Sequence, residues 1–98
     1  MPPAAVLTLP FLENVAGCLR AVAHPVRLQL LDLLESRRLS VTDLAERAGI
    51  AQPAASQHLR LMARAGIVAP KREGQTVYYV VVDPRILDVL DCLRRHCV

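Results

Sequence analysis

This chain has few aromatic residues and no long run of apolar ones. Only 3 % of its 98 residues are aromatic, although 53 % are hydrophobic. No stretch approaches the roughly 20 apolar residues that a membrane-spanning helix needs. We therefore expect a single domain that does not enter a membrane. Because a small core cannot hide this much aliphatic surface, we also expect a second site of burial, most simply a homodimer interface.

Acidic residues are absent from one long segment. The chain carries twelve basic and nine acidic residues, but residues 47–72 contain five of the basic residues and none of the acidic ones. The five are Arg47, Arg60, Arg64, Lys71 and Arg72. A local basic segment on a nearly neutral protein indicates contact with an anionic partner at one surface, and the alternative is an ordinary solvated face.

The chain start does not have the pattern of a secretory signal peptide. Its first residues, MPPAAVLTLPFL, are apolar but contain no basic residue, and Pro10 and Glu13 interrupt the run. The chain has only three cysteines. Free thiols in a reducing cytoplasm are therefore expected.

Patterns typical of enzymes are also absent. The sequence has no paired carboxylates, no Ser-His-Asp arrangement and no phosphate-binding glycine loop. Its three histidines, His24, His58 and His96, are far apart in the sequence. We therefore expect a protein without catalytic activity.

Two helices are predicted in the first third of the chain. The first covers residues 11–23 and follows Pro10, which suits a first turn. Its apolar stripe contains Val15, Cys18, Leu19 and Val22. The second begins at Pro25 and ends at residues 36–38. Apolar residues surround this helix, which predicts that it is the most buried one.

A helix-turn-helix is predicted for residues 40–65. Ser40 and Asp43 have the spacing of a capping box at the start of a short helix, and Gly49 ends that helix. The next helix includes Gln52 and ends at Gly66.

The last third predicts a β-hairpin and a final helix. Residues 67–82 are rich in β-branched and aromatic residues around a turn at Glu73-Gly74, as expected for a wing. Residues 84–97 form the final helix. The predicted fold is thus a mainly α winged helix-turn-helix in the order ααααββα, and residues 1–98 form one domain.

The helix that begins at Gln52 has two chemically different faces at about 100° per residue. One arc contains Gln52, Pro53, Ser56, Gln57, Arg60, Ala63 and Arg64. The opposite arc contains Ala54, Ala55, His58, Leu59, Leu61, Met62 and Ala65. The first arc is slim and can hydrogen-bond, as a helix in the major groove of DNA must, because Gln pairs with adenine and Arg with guanine or phosphate. The alternative is that this arc is merely hydrated. On the second arc, a hydrogen-bonded packing role is expected for His58.

The DNA contacts are predicted from this arrangement. In a helix-turn-helix the N-terminal part of the second helix reaches the bases, and the residues there are Gln52, Pro53, Ser56 and Gln57. Arg60 and Arg64 lie further along, where backbone contacts are expected. Lys71, Arg72 and Gln75 on the wing are predicted to contact phosphates or a minor groove. Thr42, in the short preceding helix, completes the predicted set.

Three segments together resemble the ArsR/SmtB family of dimeric winged-helix repressors. They are AHPVRLQLLDLL (23–34), LSVTDLAERAGIAQPAASQHLRLMARAGIV (39–68) and KREGQTVYYVV (71–81). The resemblance implies a homodimer built from the first and last helices. It also implies binding to a palindromic operator, and release when a metal, metalloid or thiol-reactive signal binds. Ala51 stands where the family commonly has a capping Ser, whose loss typically costs about 1 kcal/mol.

Two sensor sites of the family are not matched here. LSVTDLAE contains no cysteine, so the arsenic-type cluster of the third helix is absent. In the last helix, Asp83 and His96 match two of four zinc ligands, but Arg85 stands where a His is needed. Since a cationic side chain is a poor neighbour for a metal ion, zinc binding there is not expected.

Cys18, Cys92 and Cys97 remain as candidate metal ligands. Thiolates favour soft ions such as trivalent arsenic or antimony, and they also support reversible oxidation or persulfide chemistry. Cys92 and Cys97 are about 140° apart on a helix, so a bridge between them requires the helix end to fray.

Several interpretations stay open. The leading one is a cytoplasmic repressor that is released from double-stranded DNA by a thiol-directed inducer. A redox- or persulfide-responsive repressor is an alternative, as is a ligand-independent DNA-binding protein whose cysteines are small apolar core residues. A protein-interaction module is a further class. No cofactor is expected to be needed for DNA binding itself.

Overall fold

Capping side chains set where the helices begin. In the computed structural model, which describes residues 6–96, the Thr8 hydroxyl accepts a hydrogen bond from the Phe11 amide. Helix α1 therefore begins at Leu9, before the predicted residue 11. Nδ1 of His24 accepts from the Val26 amide over 3.1 Å at the start of α2. The Ser40 hydroxyl accepts from the Asp43 amide at the start of α3, as the capping-box pattern predicts.

The element order is the predicted ααααββα. The elements are α1 (Leu9–Val22), α2 (Pro25–Ser36), α3 (Val41–Ala48), α4 (Gln52–Arg64), β1 (Val68–Glu73), β2 (Thr76–Val81) and α5 (Pro84–His96). The turn of the hairpin lies at residues 74–75, one residue later than predicted, because Glu73 still pairs with Thr76. Residue 97, at the predicted end of the last helix, lies outside the described residues.

The two strands form an antiparallel hairpin with a fixed register. Lys71 lies opposite Tyr78, and Pro70 lies opposite Tyr79. A single bridge joins Tyr78 to Ser40, the residue that caps α3. The wing is thus attached to the start of the helix-turn-helix at the middle of β2.

The core lies where α2, α3 and α4 meet the start of β1 and the first turn of α5. Its largest fully buried side chains are Leu30, Leu31, Leu44, Leu59, Met62, Ile67, Val68 and Ile86. Apolar residues do not surround α2 evenly, because Leu30 and Leu31 are buried whereas Val26, Leu28 and Leu33 are half-buried. Helix α2 therefore packs mainly with one side, although a larger share of its residues is buried or half-buried than in α1, α3 or α4, as predicted for the most buried helix.

The first and last helices keep apolar side chains on the surface of a single chain. In α1, the predicted apolar stripe is only partly buried: Leu19 is exposed, and the buried residues are Cys18, Ala21 and Val22. Phe11, Leu12 and Leu19 of α1 and Leu93 of α5 are each 41–47 % exposed. Apolar surface left open on two helices is typical of a protein interface.

Within residues 6–96, none of the helices combines the length and the apolar character needed to cross a membrane.

Candidate nucleic-acid interface

The turn between α3 and α4 fixes the direction of α4. Gly49 ends α3 with φ of 69°, a left-handed conformation that glycine adopts without strain. The Ile50 amide donates to the Ala45 carbonyl over 3.0 Å, which closes the end of α3. Ala51 then precedes α4 and provides no side-chain cap. The first amides of α4 are therefore not bound by a capping side chain.

One side of helix α4 packs against the core, and the other side is exposed. Ala55, Leu59 and Met62 are buried, while Gln52, Pro53, Gln57, Arg60 and Arg64 are exposed and Ser56 is half-buried. The two predicted arcs are thus separated, with two exceptions. Ala65 was assigned to the buried arc but follows the helix and is exposed. Leu61 was also assigned to it but is 40 % exposed. It lies about 200° around the helix from Leu59, outside the buried stripe.

An open cleft lies between the wing and the start of α4. Its volume is about 480 Å³, and it is lined by Ser40, Val41, Thr42, Gln52, Ser56, Gln75, Thr76, Val77 and Tyr79. The structure therefore brings together four predicted contact residues from three elements: Thr42, Gln52, Ser56 and Gln75. The hydroxyl and amide groups of these side chains can hydrogen-bond to phosphate or to base edges.

A second shallow depression follows the outer side of α4. Gln52, Pro53, Ser56, Gln57 and Arg60 line it, together with Ala51 and Ala54. Since Gln52 and Ser56 line both depressions, the two form one continuous polar surface. We call this surface, from Thr42 and Gln75 to Arg60, the α4–wing surface.

The remaining predicted contact residues lie outside the two depressions. Lys71 and Arg72 are exposed on β1, and Arg64 is exposed at the C-terminal end of α4. Lys and Arg side chains in these places can reach the backbone of a duplex seated on the α4–wing surface. The assignment of each residue to a DNA contact stays a prediction.

The contacts of Arg38 with the wing were not predicted from the sequence, where residues 36–38 indicated only the end of α2. The guanidinium carbon of Arg38 lies 4.4 Å from the centre of the Tyr78 ring. The same guanidinium forms an ion pair with the Glu73 carboxylate. These partners are 35 and 40 residues away in the sequence, so no local pattern indicated them.

His58 connects α4 with the start of α2, which agrees with the packing role predicted for it. Its ring centroid lies 4.8 Å from that of His24, and Nη1 of Arg27 lies 3.3 Å from its Nδ1. Burial, followed by the charges of His24 and Arg27, lowers the pKa of His58. The neutral imidazole is thus the favoured form at this contact.

Cys18 is buried and hydrogen-bonded in the single chain. Its Sγ donates to Oδ2 of Asp83 over 3.6 Å. Burial is the main cause of the raised pKa of the Cys18 thiol, and the negative charge of Asp83 raises this pKa further. The thiolate, which is the form that binds soft metals, is therefore disfavoured at this position.

Asp83 is held by Arg85, the residue that stands where the zinc site would need a His. Arg85 donates from Nε to Oδ1 over 3.1 Å and from Nη2 to Oδ2 over 2.8 Å, and its Nη1 reaches Asn14 Oδ1 over 3.3 Å. The hydrogen bonds from Arg85 hold the pKa of Asp83 below its usual range, although burial opposes this effect. The guanidinium therefore satisfies the carboxylate that a metal ion would need.

The second described cysteine, Cys92, is not joined to Cys18. Cys92 is exposed on α5, about 12 Å along the helix axis from Pro84, and Cys97 lies outside the described residues. Among residues 6–96 there is no disulfide between Cys18 and Cys92 and no group of three His, Cys, Asp or Glu side chains that can hold a metal ion. Metal binding by these cysteines stays a prediction.

Comparisons with known proteins agree on the kind of domain. The family described as "Helix-turn-helix domain" matches residues 22–70. The HTH-type transcriptional regulator NmtR of Mycobacterium tuberculosis is 38 % identical over 89 residues, which cover 91 % of this chain and 74 % of that protein.

Two solved structures have the same fold. The first is the homodimeric winged helix-turn-helix domain of Mb0332 from Mycobacterium bovis, described as a possible ArsR-family transcriptional regulator. It is 28 % identical with a TM-score of 0.80, and the match covers 96 % of this chain and 87 % of that one. The second is the antimony-specific transcriptional repressor AntR, which is 31 % identical with a TM-score of 0.83 over 98 % of this chain and 90 % of that one.

Proposed function

Because this chain belongs to the ArsR/SmtB family of winged helix-turn-helix transcriptional regulators, we propose that it is a repressor that binds a palindromic operator as a homodimer. In this proposal, α4 enters the major groove, and the wing lies along the DNA backbone. The matched relative NmtR is a transcriptional regulator and not an enzyme.

The observation that carries the proposal is the α4–wing surface. It is lined by side chains of the types that can pair with base edges: Gln52, Ser56, Gln57 and Arg60. No acidic residue occurs from Arg47 to Arg72, so the helix brings no charge that repels phosphate.

A homodimer through α1 and α5 is supported by the apolar side chains these helices leave exposed, Phe11, Leu12, Leu19 and Leu93. The winged helix-turn-helix of Mb0332 is homodimeric and covers the same elements. A symmetric pair presents two copies of α4, and two half-sites one DNA turn apart, roughly 34 Å, would receive them.

Two measurements test this part of the proposal. Sedimentation equilibrium gives the mass in solution, and selection from a random duplex library gives the preferred sequence. We expect twice the mass of one chain and a sequence with dyad symmetry. The logarithm of the affinity should fall linearly with the logarithm of salt concentration, because each phosphate contact releases counterions. A monomer, or a selected sequence without symmetry, would contradict the proposal.

We further propose that a thiol-directed inducer, trivalent arsenic or antimony or another soft metal ion, releases the protein from DNA. AntR, which has this fold, is an antimony-specific repressor. Cys92 is exposed on α5, so an inducer can reach it first. Since α5 is assigned to the dimer, a ligand there would change the spacing of the two α4 helices.

A ligand-independent regulator is a second candidate, and the burial of Cys18 favours it. Its hydrogen bond to Asp83 and its raised pKa describe a structural cysteine. The two candidates differ in the response to arsenite and antimonite, measured as loss of binding to the selected duplex. A response that disappears in Cys92→Ser but not in Cys18→Ser supports an inducer that acts through α5. No loss of DNA binding with any thiol-directed reagent would support the ligand-independent regulator.

A further inference from the structure

One side chain outside the α4–wing surface contacts both strands of the wing. Arg38 follows α2 and lies in the segment that leads to α3. Its guanidinium carbon is 4.4 Å above the Tyr78 ring of β2, and its Nη2 pairs with the carboxylate of Glu73 at the end of β1. Arg38 therefore ties the wing to the body of the domain at two points.

The register of the hairpin places Lys71 next to these two contacts. Lys71 lies directly opposite Tyr78. Lys71 and Glu73 are two residues apart on one strand, so their side chains share a face of the sheet. Glu73 is the one acidic residue on the strands of the wing. Without another partner, its carboxylate is within reach of the Lys71 ammonium.

We propose that Arg38 is a positioning residue for DNA binding, because it holds the wing in place and occupies Glu73, which leaves the charge of Lys71 available to a DNA phosphate. A two-stranded hairpin by itself is at best marginally stable in water, so its place depends on such attachments. Arg38 can supply both contacts with one group, since a guanidinium stacks on an aromatic ring and pairs with a carboxylate at the same time. The inference rests on the proposed DNA-binding function and deepens it.

The alternative is that Arg38 contacts a phosphate directly. The two roles differ in what Arg38→Ala does when Lys71 is also replaced. A positioning residue acts mainly through Lys71, so its loss has a much smaller effect in a Lys71→Ala background than in the wild type. A direct contact would add its own loss in either background and would reduce the slope of the salt dependence by about one.

The experiment uses the whole chain and a duplex of about 30 bp, three turns of DNA, recovered by selection from a random library. Affinities are measured for Arg38→Ala, Lys71→Ala, the double variant and Arg38→Ala/Glu73→Gln. Arg37→Ala is the matched control, because it removes the same charge from the neighbouring residue. We expect about three- to tenfold weaker binding for Arg38→Ala and a much smaller change for Arg37→Ala.

Two further results are expected if Arg38 is a positioning residue. Arg38→Ala/Glu73→Gln should regain a large part of the lost affinity. Arg38→Lys can still pair with Glu73 but does not reproduce the stacking of the guanidinium on Tyr78, so its affinity should fall between those of wild type and Arg38→Ala. Amide exchange of the free protein should become faster in residues 72–77 of Arg38→Ala, while the amides of α2 and α4 keep their protection.

The outcomes separate this inference from the proposed function. If Lys71→Ala weakens binding and Arg38→Ala does not, or if the two losses add, the positioning role is wrong while DNA binding by the wing stands. If Lys71→Ala leaves the affinity unchanged, Lys71 does not contact DNA as proposed, and the role of Arg38 fails with it.

Discussion

The Sγ atom of Cys18 lies 3.6 Å from Oδ2 of Asp83, and this hydrogen bond joins α1 to the residue that precedes α5. The same carboxylate is paired with Arg85, whose other end reaches Asn14 of α1. The two helices assigned to the dimer are thus connected by a short polar network beside the core. The Cys18 thiol and the first turn of α5 thus donate to the same carboxylate, since the Arg85 amide also bonds to Asp83.

The two described cysteines should differ in reactivity. Burial and the charge of Asp83 raise the pKa of Cys18, so little thiolate is present there, whereas Cys92 is exposed. We expect iodoacetamide to modify Cys92 much faster than Cys18, as followed by mass spectrometry of peptides. Asp83→Asn should speed the reaction of Cys18. Glu13→Gln is the control. Glu13 and Cys18 line one small cleft, but the Glu13 carboxylate is not bonded to the thiol. Equal rates for Cys18 and Cys92 in the native protein would contradict this prediction.

The stability of the fold should decrease below neutral pH because of His58. Burial, His24 and Arg27 lower its pKa, so the unfolded chain takes up the proton first. Neutral His58 makes its full contribution to the free energy of unfolding above about pH 6.5, its ordinary pKa. This contribution is lost as the pH falls through the lower pKa of His58 in the folded state. The free energy of unfolding in urea should therefore be lower at about pH 5.5 than at about pH 7.5.

The matched variants for this prediction are His58→Gln and His96→Gln. A glutamine side chain cannot titrate, so in His58→Gln the difference between the two pH values should shrink. His96 is exposed at the end of α5, and its replacement should leave the difference unchanged. A difference that persists in full in His58→Gln would show that another group is responsible.

A serine at position 51 should stabilise α4. Ala51 precedes the helix in an extended conformation, with φ of −66° and ψ of 145°, and offers no hydrogen bond to the first amides. A hydroxyl there can accept from one of them, which is typically worth about 1 kcal/mol. Ala51→Ser should raise the free energy of unfolding by this amount. Ala65→Ser, at the other end of the helix, should not, and an equal gain in both would point to a cause other than capping.

Gln57 should contribute to sequence recognition and not to general DNA affinity. It is exposed on α4 and lines the outer part of the α4–wing surface. If it pairs with a base edge, Gln57→Ala should weaken binding to the selected duplex by about 1–3 kcal/mol. Binding to random duplex should hardly change. Gln29→Ala, an exposed glutamine on α2, is the control for the substitution itself. An equal loss on both kinds of DNA would refute base contact by Gln57.

Local signals in the sequence were sufficient to predict the order of the elements. The capping pattern at Ser40 and Asp43, the stop at Gly49 and the β-branched residues after Gly74 each act within a few residues, so the sequence displays them directly. The two arcs of α4 followed from the helical period alone. The error at Leu61 arose because the apolar arc of α4 is wider than the stripe that packs, and Leu61 lies about 100° from Met62, outside that stripe.

The contacts between distant residues were not predictable from the sequence. Cys18 meets Asp83 across 65 residues, and Arg38 meets Tyr78 across 40. Neither pair has a local pattern, since both depend on how the helices pack. The exposure of Leu19 has the same origin, because the helical period locates an apolar stripe but does not say whether the same chain or a second chain covers it.

The residues of β1 affect whether molecules aggregate through this strand at high concentration. Along its outer side β1 has no neighbouring strand in residues 6–96, so its backbone groups are open to strands of other molecules. Pro70 lacks an amide hydrogen, and Lys71 and Arg72 bring like charges together whenever two such strands approach. The side chains assigned to phosphate contacts therefore also protect this edge from aggregation.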